Sequence, residues 1–126
     1  MPPEARDAAL LWDMLHHARE VASFVRGRTF DEYQSDHLLR RGVERSVGIV
    51  GEAAWRISKT FRAAHPEIAW RPISAQRHIL VHEYRRIKND KIWRVATFYI
   101  PELIRQLEPL IPPLPPEGEG NRGPTL

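Results

Sequence analysis

A chain of 126 residues has room for one compact domain, and its lack of cysteine excludes disulfide scaffolds, thiolate zinc sites and cysteine nucleophiles. Lys and Arg number 19 against 16 Asp and Glu, a formal charge of +3, which permits nucleic-acid contact without demanding it. No apolar run approaches the ~20 residues that span a bilayer, and Met1-Pro2-Pro3-Glu4 does not open a secretory signal, so a soluble cytoplasmic protein is expected.

The first predicted helix runs from about Glu4 to Val25. Leu11, Leu15, Ala18, Ala22 and Val25 recur at steps of four and three and form one apolar stripe. Glu4 and Asp7 suit the positive end of its dipole, and Gly27 suits its C-terminal exit. Thr29-Phe30-Asp31-Glu32 has the form of a capping box and opens a short helical turn. Ser35 or Asp36 then caps a second long helix, predicted to continue to about Ala64 on the stripe Leu39, Val43, Ser46, Val50, Ala53, Ile57 and Phe61. Gly42, Gly48 and Gly51 weaken its propensity but permit close approach of a neighbour.

His65-Pro66 ends that helix, because proline disfavours helical geometry at the residue before it. A third helix is predicted over about Pro72 to Arg86, with Pro72 in its first turn. Asn89 or Asp90 caps a fourth, reaching about Leu107 on the stripe Ile92, Ala96, Tyr99, Leu103 and Leu107, with Trp93 and Ile100 beside it. Pro101 falls inside that pattern and is expected to kink it. From Pro109 the composition turns to Pro, Gly and Glu, which builds no core, so residues 111–126 read as a disordered tail to a helical domain over 1–110. Strand-period alternation, repeats and Gly-rich phosphate loops are absent, and the fold class is all-α.

The chemistry concentrates in Arg77-His78-Ile79-Leu80-Val81-His82-Glu83-Tyr84. At about 100° per residue, His78 and His82 share a face one turn apart, while Arg77 and His82 are offset by about 140°. Three readings stay open on spacing alone. The residues could be ordinary solvated polarity on a bundle helix. His78 and His82 could bind zinc, but a third ligand is needed, Glu83 points elsewhere, and no metal site is expected. Or they could cleave RNA without metal or cofactor. A histidine, whose unperturbed pKa is ~6.5, takes the proton of a ribose 2′-hydroxyl, and an arginine holds the phosphate. RNA supplies its own nucleophile, and the product is a 2′,3′-cyclic phosphate.

Beyond spacing, Arg77, His82 and Tyr84 match R-x4-H-x-Y, the signature of the HepT-like toxins within the HEPN ribonuclease superfamily. The flanks resemble that family as well. Leu10-Leu11-Trp12-Asp13-Met14-Leu15 is similar to its first helix and Thr29-Phe30-Asp31-Glu32-Tyr33 to its short capped segment. Val47-Gly48-Ile49-Val50-Gly51-Glu52-Ala53-Ala54 and His65-Pro66-Glu67-Ile68-Ala69-Trp70 resemble its "IIGEAA" and "YPEIPW" stretches, and Ile92-Trp93 and Pro101-Glu102-Leu103 also fall in place. The sequence departs at Ala75-Gln76, where the family has Gly-Met, and at His78, where it has Asn.

The resemblance implies a homodimeric HEPN-type bundle of four to five helices whose paired motif helices bring Arg77 and His82 of both copies into one cleft. It implies an endoribonuclease toxin with Arg77 and His82 as the catalytic pair; His78, a departure from the family, is a candidate auxiliary group orienting the phosphate or the other histidine. It also implies a cognate nucleotidyltransferase antitoxin that uses ATP to place AMP on Tyr84 and silence the toxin. Arg85, Arg86 and Lys88 follow the motif and are candidate RNA contacts; Arg40, Arg41 and Arg45 could extend that surface or form a solvated face. Trp12, Trp55, Trp70 and Trp93 are expected to pack rather than stack on bases, and His16-His17 to be surface or interface polarity. The rival reading is a non-catalytic helical module that pairs with the nucleotidyltransferase and presents Tyr84 to it.

Overall fold

The computed structural model describes residues 4–83 and 87–111, and among these the fold is all-α with no strand. Helix α1 spans Ala5–Val25 and leaves through Gly27, whose φ of 74° is the left-handed geometry glycine adopts without a Cβ penalty. Helix α2, Phe30–Ser35, begins with the expected capping box. The Thr29 hydroxyl accepts from the Glu32 amide, and the Glu32 carboxylate accepts from the Thr29 amide. Asp36 caps helix α3, His37–Arg56, its carboxylate accepting from the Leu39 amide.

The long second helix of the sequence reading is broken. Helix α3 stops at Arg56, Ile57 is extended, and Ser58 caps a separate helix α4, Lys59–Ala64. The break is held from far away in the chain. Asp7, buried in the first turn of α1, accepts from the Ser58 amide at 3.0 Å and the Ser58 hydroxyl at 2.6 Å. A charge-assisted bond of this kind outweighs the propensity to continue one helix. The side chains of Ile57 and Phe61 are buried all the same, so the stripe survives the break.

Helix α5 spans Trp70–His82 and is displaced toward the N-terminus of its predicted range. Trp70 starts it, anchored by its indole N–H to the His65 carbonyl at 2.9 Å, and Pro72 falls within the first turn, where no backbone donor is needed. The helix ends at His82 rather than Arg86. Glu83 leaves helical geometry there at φ −123°, ψ 35°. Tyr84, Arg85 and Arg86 lie outside the described residues, as does the chain after residue 111.

The last rod is α6, Asn89–Arg94, a π turn over Val95–Tyr99, and α7, Ile100–Leu107, closed by a 3₁₀ turn at Glu108–Leu110. Asn89 and Asp90 are helical rather than capping, and Lys88 holds the N-cap position. Pro101 needs no sharp kink, because the π turn admits one extra residue ahead of it: the Ile100 amide donates to Val95 rather than to residue 96. That insertion rotates the register, so Ile100 is fully buried and Tyr99, assigned to the stripe, is only half buried. Counting this rod as one, the described residues hold six helices where four to five were expected.

Helix α3 is the centre of the bundle, with α1 on one side and α5 on the other, while α1 also packs on α7. Leu11, Met14, Leu15, Ala18 and Val21 of α1 meet Val43, Val47, Val50 and Ala54 of α3 in the core, with Ile100, Leu103 and Leu107 closing it. Gly51 sets the distance to α5. A β-carbon there would stand 2.9 Å from both the Arg77 amide nitrogen and the Ile73 carbonyl oxygen, closer than any real Cβ comes. Among the described residues no helix is long and apolar enough to cross a membrane.

Candidate active site

The close approach at Gly51 lays α5 along α3 and turns Arg77 toward it. The Arg77 guanidinium donates through Nε to the Glu52 carboxylate, and its Cζ lies 4.2 Å from the centre of the Trp55 ring. Glu52 and Trp55 are three residues apart on α3 and therefore present one face to Arg77. The guanidinium is held on its Nε edge and over one face. Its Nη groups have no salt-bridge partner among the described residues, the arrangement a bidentate phosphate contact requires.

His82 occupies a different face of α5. It is exposed, in the last turn, and its ring centre lies 4.9 Å from that of His78, tilted by 40°. Of the residues singled out in the motif, the fold therefore unites His78 with His82 and gives Arg77 to α3. It does not bring Arg77 and His82 to one point within a single chain. Val81 lies between the two faces, 62 % exposed, an apolar side chain left open beside the candidate catalytic groups.

Glu83 does not point away from the histidines. Because the helix ends at His82, its carboxylate folds back to 3.3 Å from His78 Nε2. That contact places a carboxylate beside the His78 ring. Among the described residues, the group whose potential ligand atoms converge is elsewhere: those of His16, His17 and Glu20 on α1 lie within 4.8 Å of one another. Glu20 is already engaged there, with His17 Nδ1 at 3.0 Å and as acceptor from the Ser46 hydroxyl at 2.9 Å. These contacts, the His17 one foremost, hold its carboxyl below the ordinary value of 4.5.

Two participants were not assigned a role from sequence: Glu52 and Trp55. Glu52 stands as a lone acid among small and apolar residues between Val47 and Ala54, a signal that it serves something other than the core. Trp55 was expected to pack, yet it is 54 % exposed and its ring carries Arg77. The other tryptophans do pack: Trp70 is buried, Trp93 lies 5.2 Å from the Tyr33 ring, and Trp12 rests on the core. Lys88 is exposed next to Ile87, and Arg40 is engaged with the Gln34 carbonyl.

Comparison with known proteins places the chain in a family. The family model described as "Ribonuclease HepT-like" matches residues 14–110. "Putative RNase MJ0127" of Methanocaldococcus jannaschii is 28% identical over 119 residues, covering 94% of this chain and 98% of that protein. "Putative RNase TTE0752" of Caldanaerobacter subterraneus subsp. tengcongensis is 34% identical over 101 residues, covering 77% and 90%. "Probable ribonuclease HepT" of Thermococcus cleftensis is 30% identical over 100 residues, covering 79% and 91%. No solved structure matches. With three-quarters of its length inside the family match, the chain belongs to the HepT-like ribonuclease family.

Proposed function

We propose that this protein is a metal-independent endoribonuclease, the toxin of a toxin–antitoxin pair, acting in the cytoplasm as a homodimer. The observation that carries the reading is the fixed guanidinium of Arg77, held by Glu52 and Trp55 with its Nη edge open. In the reaction, the ribose 2′-oxygen attacks the adjacent phosphorus and the bond to the 5′-oxygen breaks. His82 accepts the 2′-hydroxyl proton, and the leaving 5′-oxygen takes a proton from an imidazolium. The products are a 2′,3′-cyclic phosphate and a 5′-hydroxyl. Arg77 neutralises the charge that grows on the non-bridging oxygens, and His78, with the Glu83 carboxylate beside it, orients the phosphate.

A dimer answers the separation of Arg77 from His82 on one helix. Twofold pairing over the exposed Val81 seam would set Arg77 of one copy against His82 of its partner. It also supplies two imidazoles to one cleft, one as base and one as acid. Family membership supports regulation by a nucleotidyltransferase. In that step the Tyr84 oxygen attacks the α-phosphorus of ATP and pyrophosphate leaves. The added AMP would then shield the cleft by charge and bulk. Arg85, Arg86 and Lys88 are proposed to hold flanking phosphates.

The test is incubation of the purified protein with total RNA in EDTA, beside His82→Ala and Arg77→Ala. Cleavage by the parent and a loss of ~10² or more in each variant is expected. Equal cleavage by all three would overturn the assignment.

A further inference from the structure

Two cavities run end to end along the seam between α3 and α5. One, of about 370 Å³, is lined by Arg77, Glu52, Arg45, Leu80 and Val81, so its Val81 end opens at the proposed dimer cleft. The next, of about 430 Å³, is lined by Arg45, Arg41, Glu44, Leu80 and Ile87. Arg45, Glu44 and Leu80 belong to both, so the two form one groove that starts at Arg77 and continues along α3. Its floor is Gly48, where the missing side chain leaves Leu80 as the nearest neighbour.

The charges along this groove are not equivalent. Arg41 donates to Glu44 at 2.7 Å, and the Glu44 side chain is nearly buried, so that pair is internally neutral. Arg77 and Glu52 form the second pair. Arg45 is exposed, lies between the two pairs, and has no salt bridge among the described residues. With both carboxylates engaged, it is the surplus cation among the described residues that line the groove. From helix rise, its Cα stands ~10 Å along α3 from that of Glu52, a step of a nucleotide or two from a phosphate held at Arg77.

We infer that this α3–α5 groove is the track for a single-stranded RNA, with Arg45 binding a backbone phosphate neighbouring the one cleaved at Arg77. Leu80 and Ile87 give the walls an apolar lining on which sugars rest, while Arg45 supplies the charge. The inference deepens the ribonuclease reading above and rests on its assignment of RNA as substrate. It names a substrate-positioning residue that the R-x4-H-x-Y signature does not contain.

The experiment measures binding of a short fluorescein-labelled single-stranded RNA of mixed sequence, by anisotropy across a salt series in EDTA, in the His82→Ala background. Arg45→Ala is expected to weaken binding about fivefold to tenfold and to lower the slope of log K against log salt by about 0.7, the value for one phosphate contact on a single strand. Arg45→Lys keeps most of the affinity and the slope. Lys59→Ala, which removes a cation lining the separate cavity by Trp70, changes neither. In protein with His82 intact, Arg45→Ala raises KM by more than it lowers kcat. Unchanged affinity and slope in Arg45→Ala, or an equal loss in Lys59→Ala, overturns the groove. If the intact protein cleaves no RNA yet binds it with Arg45 dependence, the groove stands and the catalytic reading falls. If it cleaves and Arg45 makes no difference, the groove alone falls.

Discussion

Gly51 on α3 and Arg77 on α5 meet backbone to backbone, with room between them for a hydrogen atom and not for a methyl group. The candidate catalytic arginine is thus placed by a glycine rather than by its own side chain. Both helices are long enough that a shift at this point would carry the whole motif with it.

Gly51→Ala is therefore expected to destabilise the fold and displace α5. Overpacking against backbone costs about 1–3 kcal/mol, more than the ~1 kcal/mol alanine gains in helix propensity. Thermal melts should show a lower Tm by on the order of 5 °C. Gly48→Ala is the contrast. Its β-carbon would meet only the Leu80 side chain, at 3.6 Å, an ordinary contact. That variant should melt at or above the parent temperature.

Glu52→Gln and Trp55→Ala test the setting of Arg77. Glutamine keeps the shape but loses the charge that holds Nε, and alanine removes the ring under the guanidinium. Loss of a cation–π contact is worth about 0.5–2 kcal/mol. RNA cleavage should fall by roughly fivefold to tenfold in either variant, while Tm moves little because both side chains are substantially exposed. A fall in Tm that accounted for the lost activity would reduce the two residues to structural support.

Stability at acid pH should report on Glu20. The His17 and Ser46 contacts depress its pKa in the folded chain, so its contribution is fully present above the ordinary value of 4.5 and is lost as pH falls through the depressed value. The side chain is 40% exposed, which holds the effect to a few tenths of a kcal/mol after solvent screening. Glu20→Ala should melt about 1 °C below the parent near neutrality. That gap should close as pH falls well below 4.5. A gap that stays constant with pH would mean the glutamate acts through packing and not through its charge.

Much of the local structure was legible because its causes are local. Thr29 with Glu32 and Asp36 with Leu39 satisfy backbone groups within one turn, and such caps are written in neighbouring residues. The burial of Leu11, Leu15 and Ala18, or of Val43, Val50 and Ala53, follows from 3.6-residue periodicity. The break after Arg56 was not legible. Ser58 is a good N-cap residue, but its decisive partner, Asp7, lies 51 positions away. The π turn before Pro101 was missed for a related reason: proline announces a lost hydrogen bond, not how the chain absorbs it.

The site divides in the same way. The amino-acid sequence by itself determined the helical class, the caps at Thr29 and Asp36, most of the apolar stripes and the motif Arg77, His82 and Tyr84, with the family those residues mark. Only the tertiary structure decided that Arg77 turns to Glu52, 25 residues earlier, and that Trp55 supports its guanidinium. It also decided that Arg45 opens onto the groove leading from Arg77. Periodicity states which residues share a face of one helix. Which face of a neighbouring helix they meet is set by how closely the two backbones approach, and here that distance is governed by Gly51.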